Sequence, residues 1–398
     1  MSATAEAPGS EDAIAAAVAS AYAAREPLLV EGRGTKRAML RPVQAARTLS
    51  TRNLSGITLH APQELIVSAR AGTSVAEVEA KLAEAGQGII AEPPDLSGLL
   101  GEGQATLGGV VAANLSGPRR VAWGAMRDHV MGVRFVNGTG EVLRSGGRVL
   151  KNVTGLDLCK LLAGSHGTLG VVTEVTLKVL PVAERTGTLV LAGLDARRGV
   201  AALAAALGSP FGVSGAAWLP AEAAARAPEL DGMPGGVALA RIEDFVPSVA
   251  YRLGKLRDQL GGTLLDDEAS RALWRRIRDA EVLPVAAEDG VWRVSVRPSS
   301  GPAVAAALEA AGARLFLDWG GGLVWAAGPA TAATHAAVRD AAKAHGGTWT
   351  VMRAPDALRA AVDVVPPEAA ALAAITRRVK AAMDPAGIMN PGRLYAGL

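Results

Sequence analysis

The chain has 398 residues, 49% of them apolar and only 4% aromatic, and 41 basic residues nearly balance 38 acidic ones at a formal net charge of +3. That length holds two or three domains around a large core. The charge balance removes any general case for nucleic acid, and the densest basic groups, Arg119-Arg120 and Arg377-Arg378-Val379-Lys380, lack interleaved aromatics. A single cysteine, Cys159, excludes an internal disulfide and a chain-borne iron–sulfur cluster.

No long apolar run predicts a transmembrane segment. No basic region followed by an apolar core predicts a signal peptide, so a reducing, cytoplasmic setting is expected. Residues 1–10 are expected to be disordered. Residues 11–25 predict an alanine-rich helix capped by Ser10 and stopped near Pro27. A strand at 27–30 then runs into Glu31-Gly32-Arg33-Gly34-Thr35-Lys36-Arg37. This Gly-x-Gly-Thr turn can present consecutive backbone N–H groups to a phosphate, and a plain turn suits the same residues. It is not a dinucleotide GxGxxG, because Arg37 stands at the third glycine, nor a P-loop, because Gly-Lys-Ser/Thr is missing. Residues 56–60 and 65–70 predict strands around a turn at Pro62. A helix over 74–85 follows, with Thr73 as its cap and Gly86 at its end. A short strand at 89–92 is broken by Pro93-Pro94.

Residues 101–133 are small, apolar and glycine-rich. Ala105-Thr106-Leu107-Gly108-Gly109 makes a tight turn that feeds tiny side chains as far as Asn114. Glycine lets a backbone approach a ligand closely, so this stretch is expected to lie against a flat, bulky group. A hairpin at 132–136 and 141–144 turns over Asn137-Gly138-Thr139-Gly140. The helix expected at 156–162 carries Cys159 as a buried small hydrophobe. A third glycine loop, 164–170, runs into a β-branched strand. From about residue 186 strands and helices alternate: strands at 188–191, 215–219, 237–242 and 291–296, helices at 197–207, 247–260, 302–311 and 331–345. A hairpin at 315–319 and 323–327 turns over Gly320-Gly321-Gly322. This order predicts an α+β unit with helices on one face of an antiparallel sheet. A last helix, 368–383 with Pro367 in its first turn, leads into DPAGIMNPGRL. No internal repeat is visible.

Self-contained catalytic sets are missing: there is no HExxH, CxxC pair or GxSxG. No two of the five histidines have metal-ligand spacing. His335 and His345 are expected on the surface of their helix. His166, inside a glycine loop, suits either ligand contact or exposure to water, and His129 suits either a cofactor-proximal or a structural role. The remaining signal is the order of three glycine loops beside strands, at 32–35, 105–109 and 164–170.

That order, with ATLGGVVAAN, GSHGTLGVVTEVTLKVLP and the DPAGIMNPGRL tail, resembles the PCMH-type FAD-binding domain of the vanillyl-alcohol oxidase and para-cresol methylhydroxylase flavoproteins over residues 25–183. The tail is similar to the end of their hydroxyacid dehydrogenase branch. Within that branch the alanine-rich, moderately short chain is similar to the FAD-binding E subunits of glycolate oxidase. The resemblance implies an α+β fold: a PCMH-type FAD-binding domain of two α+β subdomains over 1–185, an α+β cap with an antiparallel sheet over 186–350, and a segment 351–398 returning to the FAD site. It implies backbone N–H groups of Gly32, Arg33, Gly34 and Thr35 on the FAD pyrophosphate, and Thr106, Gly108, Gly109 and Asn114 along the pyrophosphate and flavin. Gly164, Thr168, Gly170 and Val172 would line the ribityl and adenine side, and Asn390 and Arg393 would close over the flavin. Covalent relatives carry a histidine in the first loop; its absence here implies non-covalent FAD. Implied partners are a larger FAD-containing catalytic subunit and an iron–sulfur subunit, acting on a small 2-hydroxy acid, in the cytoplasm or at the inner face of the membrane through those partners.

The family's hydroxy-acid dehydrogenases carry a histidine cluster that this chain lacks. Oxidising a 2-hydroxy acid needs a base for the hydroxyl proton and a cation for the carboxylate. Arg353 or Arg119 could supply the cation, and Asp318 and Glu92 are ionisable but stand in no special sequence context. The reading is therefore an accessory or electron-transferring FAD subunit of a glycolate oxidase complex, with no assigned catalytic residue and no metal. A free-standing FAD-dependent dehydrogenase, and a scaffold with structural FAD or none, remain open at this stage.

Overall fold

A computed structural model describes residues 4–101, 103–147 and 156–398. Residues 1–3 of the segment expected to be disordered, and Glu102 of the central stretch, lie outside the described residues. Within that first segment Thr4–Glu6 forms a strand, β1, so the expectation of disorder fails there. It pairs in parallel with β3 (Arg47–Ser50), which pairs in parallel with β2 (Leu28–Glu31). The helix Glu11–Ala24 covers this small sheet. The Ser10 hydroxyl accepts from the Ala13 N–H at 3.2 Å, acidic Glu11 and Asp12 sit in its first turn, and Arg25 ends it in the left-handed region. Its inward residues, Ile14, Val18 and Ala21, recur at helical spacing and pack with Leu28, Leu49, Val136 and Met389.

The second sheet has the order β4 (Ile57–Ala61), β5 (Ile66–Arg70), β9 (Val171–Pro181), β7 (Val130–Val136), β8 (Val142–Gly146), with β6 (Gln87–Ile89) also on β9. All its pairs are antiparallel, and β7 and β8 form the expected hairpin. The preceding helix, Val75–Ala83, is capped by Ser74 rather than Thr73, whose hydroxyl is engaged with Gly56. The strand expected at 89–92 lies at Gln87–Ile89 instead, because the chain turns directly after Ile89, whose carbonyl accepts from the Glu92 N–H at 3.2 Å.

The large sheet holds eight strands: β10 (Arg185–Ala192), β11 (Gly215–Leu219), β12 (Val237–Asp244), β13 (Thr263–Leu265), β14 (Asp289–Ser295), β15 (Arg314–Asp318), β16 (Leu323–Pro329) and β17 (Thr348–Arg353). Their order is β13-β10-β12-β11-β15-β16-β14-β17, antiparallel throughout. It is therefore two copies of one β-α-β-β-α-β unit laid edge to edge. No repeat is visible in the sequence, yet the topology repeats. The two copies meet at β11 and β15, through the single register pair Trp218–Leu317.

Helices Ala196–Leu207, Val246–Leu260, Gly301–Ala310 and Ala332–Ala344 pack on one face. The helix Asp267–Arg278, which the sequence reading passed over, covers part of the other. Gly187 faces Leu253 on the first side, while the hydroxyl of Thr188 accepts from Trp274 Nε1 at 3.0 Å on the second, as alternation along a strand requires. That second face looks back on the N-terminal sheets. The last helix runs Ala370–Met383, with Ala369 at its cap, so Pro367 lies outside its first turn. The segment after it returns to pair with Leu28 through Met389.

Candidate functional site

Three glycine loops and the returning segment line one cleft, open to solvent, of about 790 Å³. The first loop leaves β2. The Arg37 guanidinium donates twice to the Glu31 carboxylate at 2.6 Å and closes it. Gly34 has a φ of +77°, and a Cβ on Gly32 would sit 2.3 Å from Thr106 Oγ1. Among the described residues no protein acceptor takes the amide N–H groups of Arg33, Gly34, Thr35 and Lys36; the loop's one amide bond runs from Arg37 to Gly34 O. Consecutive unpaired amides form an anion-binding concavity.

The second loop leads into the helix Leu107–Ala113, capped by Thr106, whose hydroxyl accepts from the Gly109 N–H at 3.2 Å. Its first amides are already used, Leu107 N–H on Thr73 O and Gly108 N–H on Ala71 O. Gly108 is small because a Cβ there would lie 2.6 Å from Ala71 Cβ. This stretch is thus a smooth wall, with Gly109, Ala112 and Ala113 facing the cleft, rather than a row of donors.

The third loop turns through His166 and Gly167 at φ of 52° and 73°. It is strapped to the same helix by Gly164 N–H on Val111 O and His166 N–H on Ala112 O. Burial, with Arg393 and Lys36 nearby, pushes the His166 imidazole down to about 3, so it is neutral at any ordinary pH. It lines the cleft, and what exposure it keeps is toward that space.

Gly32, Arg33, Gly34, Thr35, Thr106, Gly108, Gly109, Gly170, Val172, Asn390 and Arg393 all line the cleft. Asn114, Gly164 and Thr168 stand off it. Asn114 ends the helix at a φ of 48° and accepts from the Arg127 N–H, and the Thr168 hydroxyl donates to Ser165 O. Asn390 and Arg393 spend their polar atoms on backbone. Asn390 accepts from Val30 N–H at 2.7 Å and donates to Val30 O and His166 O, tying the first wall to the third. Arg393 donates to Lys36 O at 2.7 Å and Arg41 O at 3.0 Å.

The sequence reading missed Lys36. Its Nζ is deeply set in the cleft, touches only the neighbouring Thr35 hydroxyl at 3.4 Å, and has no carboxylate at ion-pair distance among the described residues. Burial pulls its pKa down to about 8, with distant Asp95 opposing. A lysine directly after a Gly-x-Gly-Thr turn was the available signal.

The other candidates fall elsewhere. Glu92 is held by Arg241, Arg119 donates to Glu243, and Arg353 donates to the carbonyls of Asp289, Leu99 and Ala286. His335 is buried, against expectation, because Trp292 Nε1 donates to its Nδ1 at 3.3 Å. His129 is buried with Nε2 unpartnered, away from the cleft. Cys159 is buried, as its context required. Asp318 is buried, and burial pushes its carboxyl up to about 7 against the Trp319 N–H and Arg241.

The FAD binding domain family matches residues 3–146. The glycolate oxidase subunit GlcE of Escherichia coli (strain K12) is 34% identical over 387 residues, covering 96% of each chain. The chain belongs to the GlcE family of glycolate oxidase subunits. The glycolate oxidase subunit GlcD of Bacillus subtilis (strain 168) is 41% identical over 97 residues, 24% of this chain and 20% of that one, so the likeness there is to a segment. A structure of p-cresol methylhydroxylase with substrate bound superposes with a TM-score of 0.72 at 14% identity, over 98% of this chain and 88% of that one, which establishes a shared PCMH-type fold. The GlcE relationship places the chain among homologues of FAD-linked oxidoreductases acting on hydroxy acids. No helix among the described residues is long and apolar enough to cross a membrane.

Proposed function

We propose that this chain is an FAD-bearing subunit of a glycolate oxidase complex, holding its flavin non-covalently and passing electrons rather than performing the main oxidation. The observation that carries the cofactor reading is the donor set of the first loop: four amides without acceptors and one ammonium without a carboxylate, in a cradle too tight for a Cβ at Gly32. That chemistry fits a diphosphate, and the glycine and alanine wall beside it fits a flat ring. FAD, when bound, supplies two-electron redox chemistry. The chain's residues bind and orient it: the 33–36 amides and Lys36 meet the diphosphate, Gly109, Ala112 and Ala113 give it a flat wall, and Asn390 and Arg393 hold the loops in register. His166 stays neutral and adds no charge.

Non-covalent binding is supported by the first loop, which has no histidine, cysteine or tyrosine, and by the position of Cys159 away from the cleft. The reading assigns 1–185 to FAD binding, 186–350 to a cap and 351–398 to the segment that completes the cleft. It expects a larger FAD-containing subunit and an iron–sulfur subunit as partners, in the cytoplasm or held to the inner membrane face by them. The test is an anaerobic absorbance spectrum of the FAD-loaded chain with glycolate. A flavin band that persists alone, bleaches when the two partners are added, and is released intact by acid precipitation is the expected result. A second reading, in which this chain oxidises the hydroxy acid itself, is supported by the D-lactate dehydrogenase of Anaerostipes hadrus, 43% identical over 105 residues. Bleaching without partners would establish it.

A further inference from the structure

Where the large sheet meets residues 117–123, two guanidinium groups share one indole. The Arg120 Cζ lies 4.4 Å and the Arg293 Cζ 5.3 Å from the centre of the Trp319 ring, and Arg293 also lies 5.0 Å from that of Trp325. The sum of the first two distances is the upper limit on their separation, so the charges repel each other. No acidic side chain among the described residues pairs with either, and Nε of Arg293 is buried without an acceptor. Arg293 is partly buried against the Trp319 and Trp325 rings and keeps some exposed surface. Burial, and then Arg120, pull its pKa down to about 10, with Asp318 opposing and not offsetting them. Two guanidinium groups held on one indole without an ion pair leave donors for a bound anion.

The arrangement is built rather than incidental. Trp319 sits at a φ of 53°, rare for so bulky a residue, ahead of Gly320 and Gly321 at 67° and 101°. Its indole N–H donates to Gly117 O at 3.1 Å, which fixes the ring against the segment bearing Arg120. Asp318, next to it, accepts from the Trp319 N–H at 2.7 Å through one oxygen and makes no other side-chain bond among the described residues.

We propose that Arg120 and Arg293 bind a small 2-hydroxy carboxylate at Trp319, the carboxylate on the two guanidinium forks and the hydroxyl donating to Asp318. A planar carboxylate matches the fork geometry of guanidinium, and Asp318, whose charge acts on Arg293, keeps one oxygen without a hydrogen-bond donor among the described residues. The hydroxy-acid class rests on the function proposed above, but the site is a statement about binding and needs no flavin turnover.

The built-in tryptophans report on it. Intrinsic fluorescence of the full chain, with and without FAD, is titrated with glycolate, acetate and sulfate. Saturable binding of glycolate is expected, at least about tenfold tighter than acetate, with sulfate weaker still. Arg293→Gln and Arg120→Gln each weaken it by about tenfold or more, and Asp318→Asn narrows the gap between glycolate and acetate. Arg120 is only half-buried, so its variant keeps the test valid even if Arg293→Gln fails to fold. Absence of saturation, sulfate binding as tightly as glycolate, or affinity unchanged in both arginine variants overturns the proposal. Glycolate binding by a chain that takes up no FAD would sink the flavin reading and leave this site standing.

Discussion

Arg241 of β12 and Glu92 of the N-terminal part meet through two hydrogen bonds, both 2.9 Å, across the line where the large sheet faces the other two. Arg241 is essentially buried and lies over the Trp274 ring at 4.7 Å. Glu243 and Arg119 complete the network. Burial alone would raise the Glu243 carboxyl; Arg241 and Arg119 outweigh it and hold it at about 2. The two parts of the chain are thus joined by charges that neither can leave unpaired.

Removing one partner of this network should be costly. Glu92→Ala is expected to destabilise the chain by about 3 kcal/mol, because it leaves Arg241 and Arg119 with Glu243 alone between them. Glu92→Leu combined with Arg241→Met should cost less than the sum of the single changes. Urea unfolding midpoints of the four proteins measure the cycle; additivity would mean the pair is not coupled.

Lys36 should set the affinity for FAD. Lys36→Met is expected to weaken FAD binding to the apo chain by roughly ten- to a hundredfold, the worth of a charge-assisted contact. Wild-type affinity should fall as pH rises through about 8, where the lysine loses its proton. The variant should show no such fall. Flavin fluorescence quenching on titration reads both.

Gly32→Ala places a methyl 2.3 Å from Thr106 Oγ1. Thr106 must then move, and it caps the helix that walls the cleft. FAD retention through gel filtration should be lost while the far-ultraviolet circular dichroism stays near wild type. A retained flavin would show that the first loop yields without consequence.

Asp318 makes a pH-dependent demand on stability. Its carboxyl is raised from an ordinary 3.8 to about 7 in the fold. The folded state therefore favours the protonated form, and stability falls as pH rises from about 3.8 to about 7. Asp318→Asn keeps the acceptor for the Trp319 N–H and removes the titration. Its thermal midpoint should exceed wild type above pH 7 and match it near pH 4; equal midpoints at both would count against the burial argument.

Elements with strong local signals were readable from the residues. Ser10 before an alanine run, and Asn-Gly-Thr-Gly between β-branched strands, each specify their structure within a few positions. Short strands such as Arg47–Ser50 were not, since four residues held by parallel pairing on both sides carry no period of their own. The helix Asp267–Arg278 had its signal, Asp266 as cap and Leu273, Trp274 and Ile277 on one side, and was passed over. At the cleft, glycine positions located the loops, but glycine says nothing about which amides stay free. Gly108 is small because Ala71 lies against it, and the free donors lie at 33–36, one position on from the 32–35 that the resemblance implied. Likewise the isolation of Arg293 is a property of what does not come near it.

Asn390 joins two cleft walls, one of which, Val30, precedes it by 360 positions. The nest at 33–36 and its facing wall leave the ribosome first, and the strap across them follows 360 positions after Val30. Cofactor retention is thereby deferred until residue 390 has been made. A transcript cut short before codon 390 would give a product with the phosphate loop intact and no clasp to retain what it catches.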